Sequence, residues 1–167
     1  MMSKPKLKVL AIDPGTREMG VALLENGTLI YHGVKLVTRG RSPHETLQRA
    51  RAAVVRLLED LKPDVVVVEK TFIGNNRSAA LLSVLADEIK ALAKARKLLY
   101  ESFAPSSVKK TICGDGRATK EEVAKVIAKR FPELKAYLSQ NRKWKDRFHQ
   151  NMFDAVAVGL TALVFTS

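Results

Sequence analysis

The 167-residue sequence predicts an α/β protein, a five-stranded mixed sheet with helices on both faces, in a single domain covering residues 1–167. Three observations predict it. Three strand-like runs follow one another near the N-terminus, and Asn26-Gly27 joins the last two. Residues 65–68 are four consecutive valines, which suits a strand buried on both faces. Amphipathic helical stretches then alternate with further strand signals.

The elements follow in order. Residues 7–13 form a core strand, 19–24 a second and 28–37 a third. Asn26-Gly27 supplies the positive φ angles of a primed hairpin turn. In "RSPHE", Ser42 is a helix N-cap, Pro43 takes the first helical position and Glu45 completes a capping box. That helix runs to about residue 61, with Leu47, Ala50, Val54, Val55 and Leu58 on its apolar face, and Pro63 breaks it. The valine run and Glu69 form the fourth strand. Residues 75 to about 97 make a long amphipathic helix, and 98–105 a fifth strand. Ser106 or Ser107 caps a brief helix at "VKKTIC". Residues 119–130 are helical up to Pro132, and 149–165 form an apolar last helix.

Composition narrows the function. Lys and Arg number 29 against 17 Asp and Glu, a formal charge of +12. Polyanions are the natural partners of such a domain, nucleic acid before an anionic membrane surface. Cys113 is the one cysteine, which excludes a disulfide framework and a cysteine zinc cluster. A reducing, cytoplasmic setting is the simplest reading. The basic N-terminus lacks a signal-peptide core, and no charge-free window reaches the length of a membrane span.

Three acids interrupt apolar sequence. Asp13 ends the first strand, Glu69 ends the valine strand, and Asp154 lies in the apolar face of the last helix. If those elements are neighbours, the charges repel, and a divalent cation relieves them. All-oxygen ligands favour magnesium or manganese, and two such ions about 4 Å apart suit phosphodiester hydrolysis. Read as purely structural groups, Glu69 would pair with a nearby lysine and Asp13 would cap the turn. "DPGT" is also similar to the first phosphate-binding turn of actin-like ATPases, but those need two such domains. "GDGRATK" has the wrong spacing for a Walker motif. Lys109, Lys110, Arg117 and Lys120, with Gly114 and Gly116, read as a flexible basic loop that could approach a phosphate. The alternative is an ordinary solvated turn.

The element order resembles the ribonuclease H-like fold, with one carboxylate on the first strand, one on the fourth and others on the last helix. Over nearly its whole length the chain resembles the RuvC-type Holliday junction resolvases. The likeness rests on "AIDPGTREMGVAL", "VVVVEKTFIGNNRSA", "PSSVKKTICGDGRATKEEV" and "NMFDAVAVGL", in that order and spacing. It implies a homodimeric, metal-dependent nuclease that makes paired nicks in a four-way DNA junction. It implies that Asp13, Glu69 and Asp154 hold two magnesium ions, with manganese as a substitute. Asp13 would bridge the two ions, Glu69 would hold one and Asp154 the other. Phe72 would stack on bases near the junction centre, and Lys109 and Lys120 would lie near the scissile phosphate. For Phe72, plain core packing is the competing reading. Asn76 and Arg77, in the second motif, join Lys110 and Arg117 as DNA-binding candidates.

One departure stands out. Three residues before the last acid the family normally carries a second ligand, usually Asp and in some members His. Here that position is Asn151, on the same helix face as Asp154, whereas His149 is out of phase. A catalytically weak junction-binding protein and an RNA-processing relative are the competing functions. The stretch "SAALLSVLADEIKALAK" has an apolar stripe that could serve both core and dimer partner. Branch-migration proteins are further expected partners.

Overall fold

The computed structural model describes residues 6–70, 76–138 and 143–166. Its sheet has the order β3-β2-β1-β4-β5, formed by β1 (Lys8–Asp13), β2 (Glu18–Glu25), β3 (Thr28–Leu36), β4 (Val65–Glu69) and β5 (Leu99–Phe103). The first three strands are antiparallel neighbours, and β1, β4 and β5 run parallel. The mixed five-stranded sheet read from the sequence is the one observed. Asn26 and Gly27 have φ of 52° and 81°, the pair of positive angles a primed turn requires.

Side-chain alternation divides the core into two layers. Leu10, Ile12, Val66 and Val68 face α1 (Pro43–Leu61) and α2 (Arg77–Ala95). Val9, Ala11, Val65 and Val67 face α5 (Lys143–Thr166), which is backed by α3 (Pro105–Cys113) and α4 (Lys120–Arg130). Helix α5 is therefore covered on two sides, which explains why residues 155–158 are buried all round.

Several boundaries differ from the sequence reading. Pro105, not Ser106 or Ser107, opens α3, with Ala104 at the cap and no side-chain capping bond. Proline's fixed φ suits the first helical position, so the helix begins two residues earlier than a cap at Ser106 would allow. Glu45 does not close the capping box of α1. Ser42 Oγ accepts from Glu45 N at 3.1 Å, but Glu45 Oε2 accepts from Arg41 N at 2.7 Å. Helix α5 starts at Lys143 rather than residue 149; in the sequence Trp144 and Phe148 extend the four-residue spacing of Met152 toward the N-terminus, among the charged residues of the first turns. Pro132 does not merely end α4; it starts a 3₁₀ turn, Pro132–Tyr137.

The seam between α5 and the sheet is made of small residues. A Cβ on Gly20 would collide with the backbone carbonyl of Asn151. A Cβ on Gly159 would sit 2.6 Å from Leu24 Cδ1 and 3.1 Å from Ala11 Cβ. Gly20 faces helix backbone, which cannot yield without moving α5. Gly159 faces the end of a leucine side chain, and alanine there also gains helix propensity. Gly20→Ala should thus lower stability by about 1–3 kcal/mol, and Gly159→Ala by clearly less. Urea melts of the two variants check the order; equal losses would mean that α5 does not seat on Gly20.

Candidate active site

Asp13 and Glu69 are the last residues of neighbouring parallel strands. Ile12 pairs with Val68, so the next positions lie side by side. Each is two residues beyond a core position on the α5 face (Ala11 and Val67), so both carboxylates point to that face. Helix α5 lays Asp154 across them. The three elements that had to be neighbours for the acids to meet are neighbours.

The electrostatics report the proximity. Burial first, then Asp154 and Glu69, holds the Asp13 carboxyl well above the usual carboxylate range, against the pull of Lys120. Burial and then Asp154 push Glu69 up to about 7, with Lys120 and Lys109 opposing. Burial works against the charge on Lys120, but Asp154, Asp13 and Glu69 outweigh it and raise its pKa. Lys120 Nζ donates to Asp154 Oδ2 at 3.3 Å, and Gln150 Nε2 donates to Oδ1 at 2.8 Å. Among the described residues, neither Asp13 nor Glu69 accepts a side-chain hydrogen bond. The alternative in which Asp13 caps its turn and a lysine pairs with Glu69 is not what forms; the lysine's ion pair is with Asp154.

Among the described residues no three His, Cys, Asp or Glu side chains close into a ligand cage. Asp154 is turned toward Lys120 and Gln150 instead. The donor set still suits a hard cation: carboxylate oxygens, with Asp154 close enough to raise the pKa of Asp13 and Glu69, and lysine ammonium groups supplying nearby positive charge. A cation would take over the neutralising part that Lys120 plays.

Asn151 lies on α5 with its backbone against Gly20. Its Nδ2 donates to Glu18 Oε2 at 3.3 Å, which leaves Oδ1 as the oxygen available to a cation. Glu18 and Gln150 were not singled out in the sequence. Glu18 shares strand parity with Ala22 and Leu24 on the α5 face, and Gln150 stands four residues before Asp154. Both signals are visible only once α5 is known to cover that face.

The basic candidates separate into groups. Lys109 and Lys120 line one cleft with Glu69, Asp154, Pro105 and Val108. The capping box of Thr119 and Glu122 fixes Lys120 as the first residue of α4. Lys110 is exposed on α3. Arg117 is in a tight turn rather than a flexible loop: Asp115 Oδ1 accepts from Arg117 N at 2.9 Å, and Gly114, at φ 77°, caps α3. Asn76 caps α2, its Oδ1 accepting from Ala79 N at 2.8 Å. Arg77 lines a different cleft, on the α1/α2 layer. Phe72 lies outside the described residues.

A family model described as Crossover junction endodeoxyribonuclease RuvC matches residues 9–161. The enzyme of that name from Acidiphilium cryptum is 30% identical over 132 residues, covering 76% of this chain and 79% of its own. The one from Corynebacterium efficiens is 33% identical over 134 residues, covering 77% of this chain and 60% of its own. Among solved structures, Thermus thermophilus RuvC has a TM-score of 0.74 at 22% identity, over 96% of this chain and 95% of that one. That likeness shows the shared ribonuclease H-like fold.

The acids predict a pH dependence. The folded chain holds the Glu69 proton up to about 7, whereas an unfolded glutamate releases it near 4.5. Native protein therefore binds more protons across that window, and stability falls as pH rises through it. Asp13 shifts in the same direction. In EDTA, from about pH 5 to about pH 8, wild type should lose melting temperature relative to Glu69→Gln. Parallel curves would mean that neither burial nor Asp154 holds the Glu69 proton.

Proposed function

The chain belongs to the crossover junction endodeoxyribonuclease RuvC family, and from that premise we propose that it resolves four-way DNA junctions by metal-dependent phosphodiester hydrolysis. The observation that carries the reading is the meeting of Asp13 with Glu69 and Asp154, the last two lining a cleft together with Lys109 and Lys120. Acids alone would repel a phosphodiester, and lysines alone would bind it without chemistry. Together they suit a scissile phosphate approached by hard cations.

Asp13, shared between two sites, Glu69 in one and Asp154 with Asn151 in the other would hold two magnesium ions, with manganese as a substitute. Such ions supply Lewis-acid activation of water and charge neutralisation on the leaving oxygen. The protein's part is to fix the carboxylates at strand ends, where their backbone cannot drift. Lys120 is tied to Asp154 without DNA. In the complex it would turn to a non-bridging phosphate oxygen, with Lys109 beside it. Gln150 keeps Asp154 oriented. A homodimer would supply the second nick, and α2 is the surface proposed for it. Its Leu85, Ile89 and Leu92 are buried in this chain, while Val84 on the same helix is 44% exposed. Branch-migration proteins are the proposed further partners. No described helix is long and apolar enough to cross a membrane.

A labelled four-way DNA junction, its matching duplex and an RNA of the same length, each with and without magnesium, test the reading. Paired nicks confined to the junction with magnesium are expected, with binding retained in EDTA or calcium. Nicking of RNA alone, or binding without nicking at any metal level, would overturn it. Asp13→Asn should fold normally yet cut nicking by more than the ~100-fold that losing an outer metal partner costs.

Asn151→Asp has two expected effects. It sets a carboxylate against Glu18, so in EDTA near neutral pH the variant should be less stable than wild type. It also adds charge to the ion site, so nicking should rise at limiting magnesium, and the advantage should shrink as magnesium increases. Single-turnover nicking across a metal titration reads this. A variant no faster at any level would remove Asn151 from the ligand set.

A further inference from the structure

A second cleft opens on the α1/α2 layer, reached from Asp13 through the β1–β2 turn. It encloses about 300 Å³ and is lined by Thr16 and Arg17 of that turn, residues 39–42, and the first turns of α1 and α2, including Arg77. Four arginines from three separate segments (Arg17, Arg39, Arg41 and Arg77) thus face one opening. No carboxylate is among its lining residues. Among the described residues, none of the four guanidinium groups makes a hydrogen bond or an ion pair.

The loop that carries two of them is held in place. Gly40 N donates to Thr46 Oγ1 at 3.0 Å, and Arg41 N donates to Glu45 Oε2 at 2.7 Å. Arg49 Nη1 donates to the Arg39 carbonyl at 3.0 Å. Gly40 lies so close to α1 that a Cβ there would sit 2.7 Å from both Thr46 N and Glu45 Cβ. Glu45, in the first turn of α1, has its oxygens engaged by Arg41 N and by Arg49 Nη2 at 2.8 Å. It anchors the loop rather than neutralising the cleft.

Unpaired guanidiniums gathered around one opening repel, and a bound anion reverses the sign of that interaction. Arginine forks match phosphate oxygens, and the N-termini of α1 and α2 add partial positive charge. The arginines are exposed around the rim, and among the described residues no aromatic side chain lines the cleft to hold a base. That favours a backbone phosphodiester over a free nucleotide. We infer that Arg17, Arg39, Arg41 and Arg77 form a second, non-catalytic subsite that clamps a DNA backbone phosphate other than the scissile one. This rests on the junction-nuclease reading and extends it to a face of the molecule that the acids do not reach.

The test compares three double variants with wild type. Arg39→Gln/Arg41→Gln empties the loop of charge. Arg39→Lys/Arg41→Lys keeps charge without the fork. Lys129→Gln/Lys135→Gln removes the same charge from the last turn of α4 and the 3₁₀ turn that follows it. Anisotropy of a labelled four-way junction in EDTA is followed across salt, and single-turnover nicking with magnesium is measured at saturating protein. The glutamine pair should bind about tenfold more weakly and lower the slope of log K against log salt by about 1 to 2. The lysine pair should fall between it and wild type, and the α4 pair should keep the wild-type slope. Nicking at saturation should stay within about twofold of wild type, since loss of a backbone contact acts on binding. A wild-type slope for the glutamine pair, or an equal loss in the α4 pair, overturns the subsite. Should the glutamine pair melt early, Arg17→Gln, on a different segment, gives the same two readings. Failure of the nuclease reading shows separately, as wild type that does not nick the junction.

Discussion

Asp13 and Glu69 end adjacent parallel strands on one face, and Asp154 lies over them from α5. Three carboxylates held this closely repel, and burial removes much of the water that would screen them. Both strand acids respond by keeping their protons far above the ordinary range, Glu69 to about 7. The fold tolerates the strain because Lys120 stands against Asp154. That ion pair is two-thirds exposed on the lysine side, so it is weak and readily exchanged. The acids' mutual repulsion is what the cation proposed for this site would relieve.

Geometry makes the cluster possible. Helix α5 can place Asp154 and Asn151 over the strand ends only by lying close to β1 and β2. Gly20, Ala11, Ala22 and Gly159 leave room for it. Behind α5, α3 and α4 bury its outer side and bring Lys109 and Lys120 to the cleft. The packing seam and the charged site are thus one construction. A methyl group at Gly20 would act on the acids through the Asn151 backbone without touching any of them.

Much of this was legible in the sequence. An acid closing a β-branched or apolar run, twice, and an acid inside an apolar helix are local signals, and alternation fixes the face on which each must point. The hairpin at Asn26-Gly27 was legible because positive φ at both positions has few solutions. Long-range partners were not. Glu18 becomes relevant only because Asn151 comes to lie over β2. Glu45 reads as half of a capping box, yet it turns back to the loop at Arg41. The arginines of the second cleft are scattered over residues 17–77, and only the docking of three segments shows them as a group. The start of α3 was misplaced because serine capping and proline at the first helical position compete, and proline prevailed.

The central claim is that burial and the neighbouring carboxylates hold Asp13 and Glu69 protonated, and that these two groups give up their protons to a cation. Calorimetric titration of the protein with magnesium or manganese, repeated in buffers of different ionisation enthalpy, counts the protons released. Near about pH 6.5 binding should release protons, and the release should shrink as pH rises through about 7, where Glu69 ionises. Metal binding that releases no protons near about pH 6.5 would contradict the account, since it would mean that the cation does not bind where Asp13 and Glu69 hold their protons.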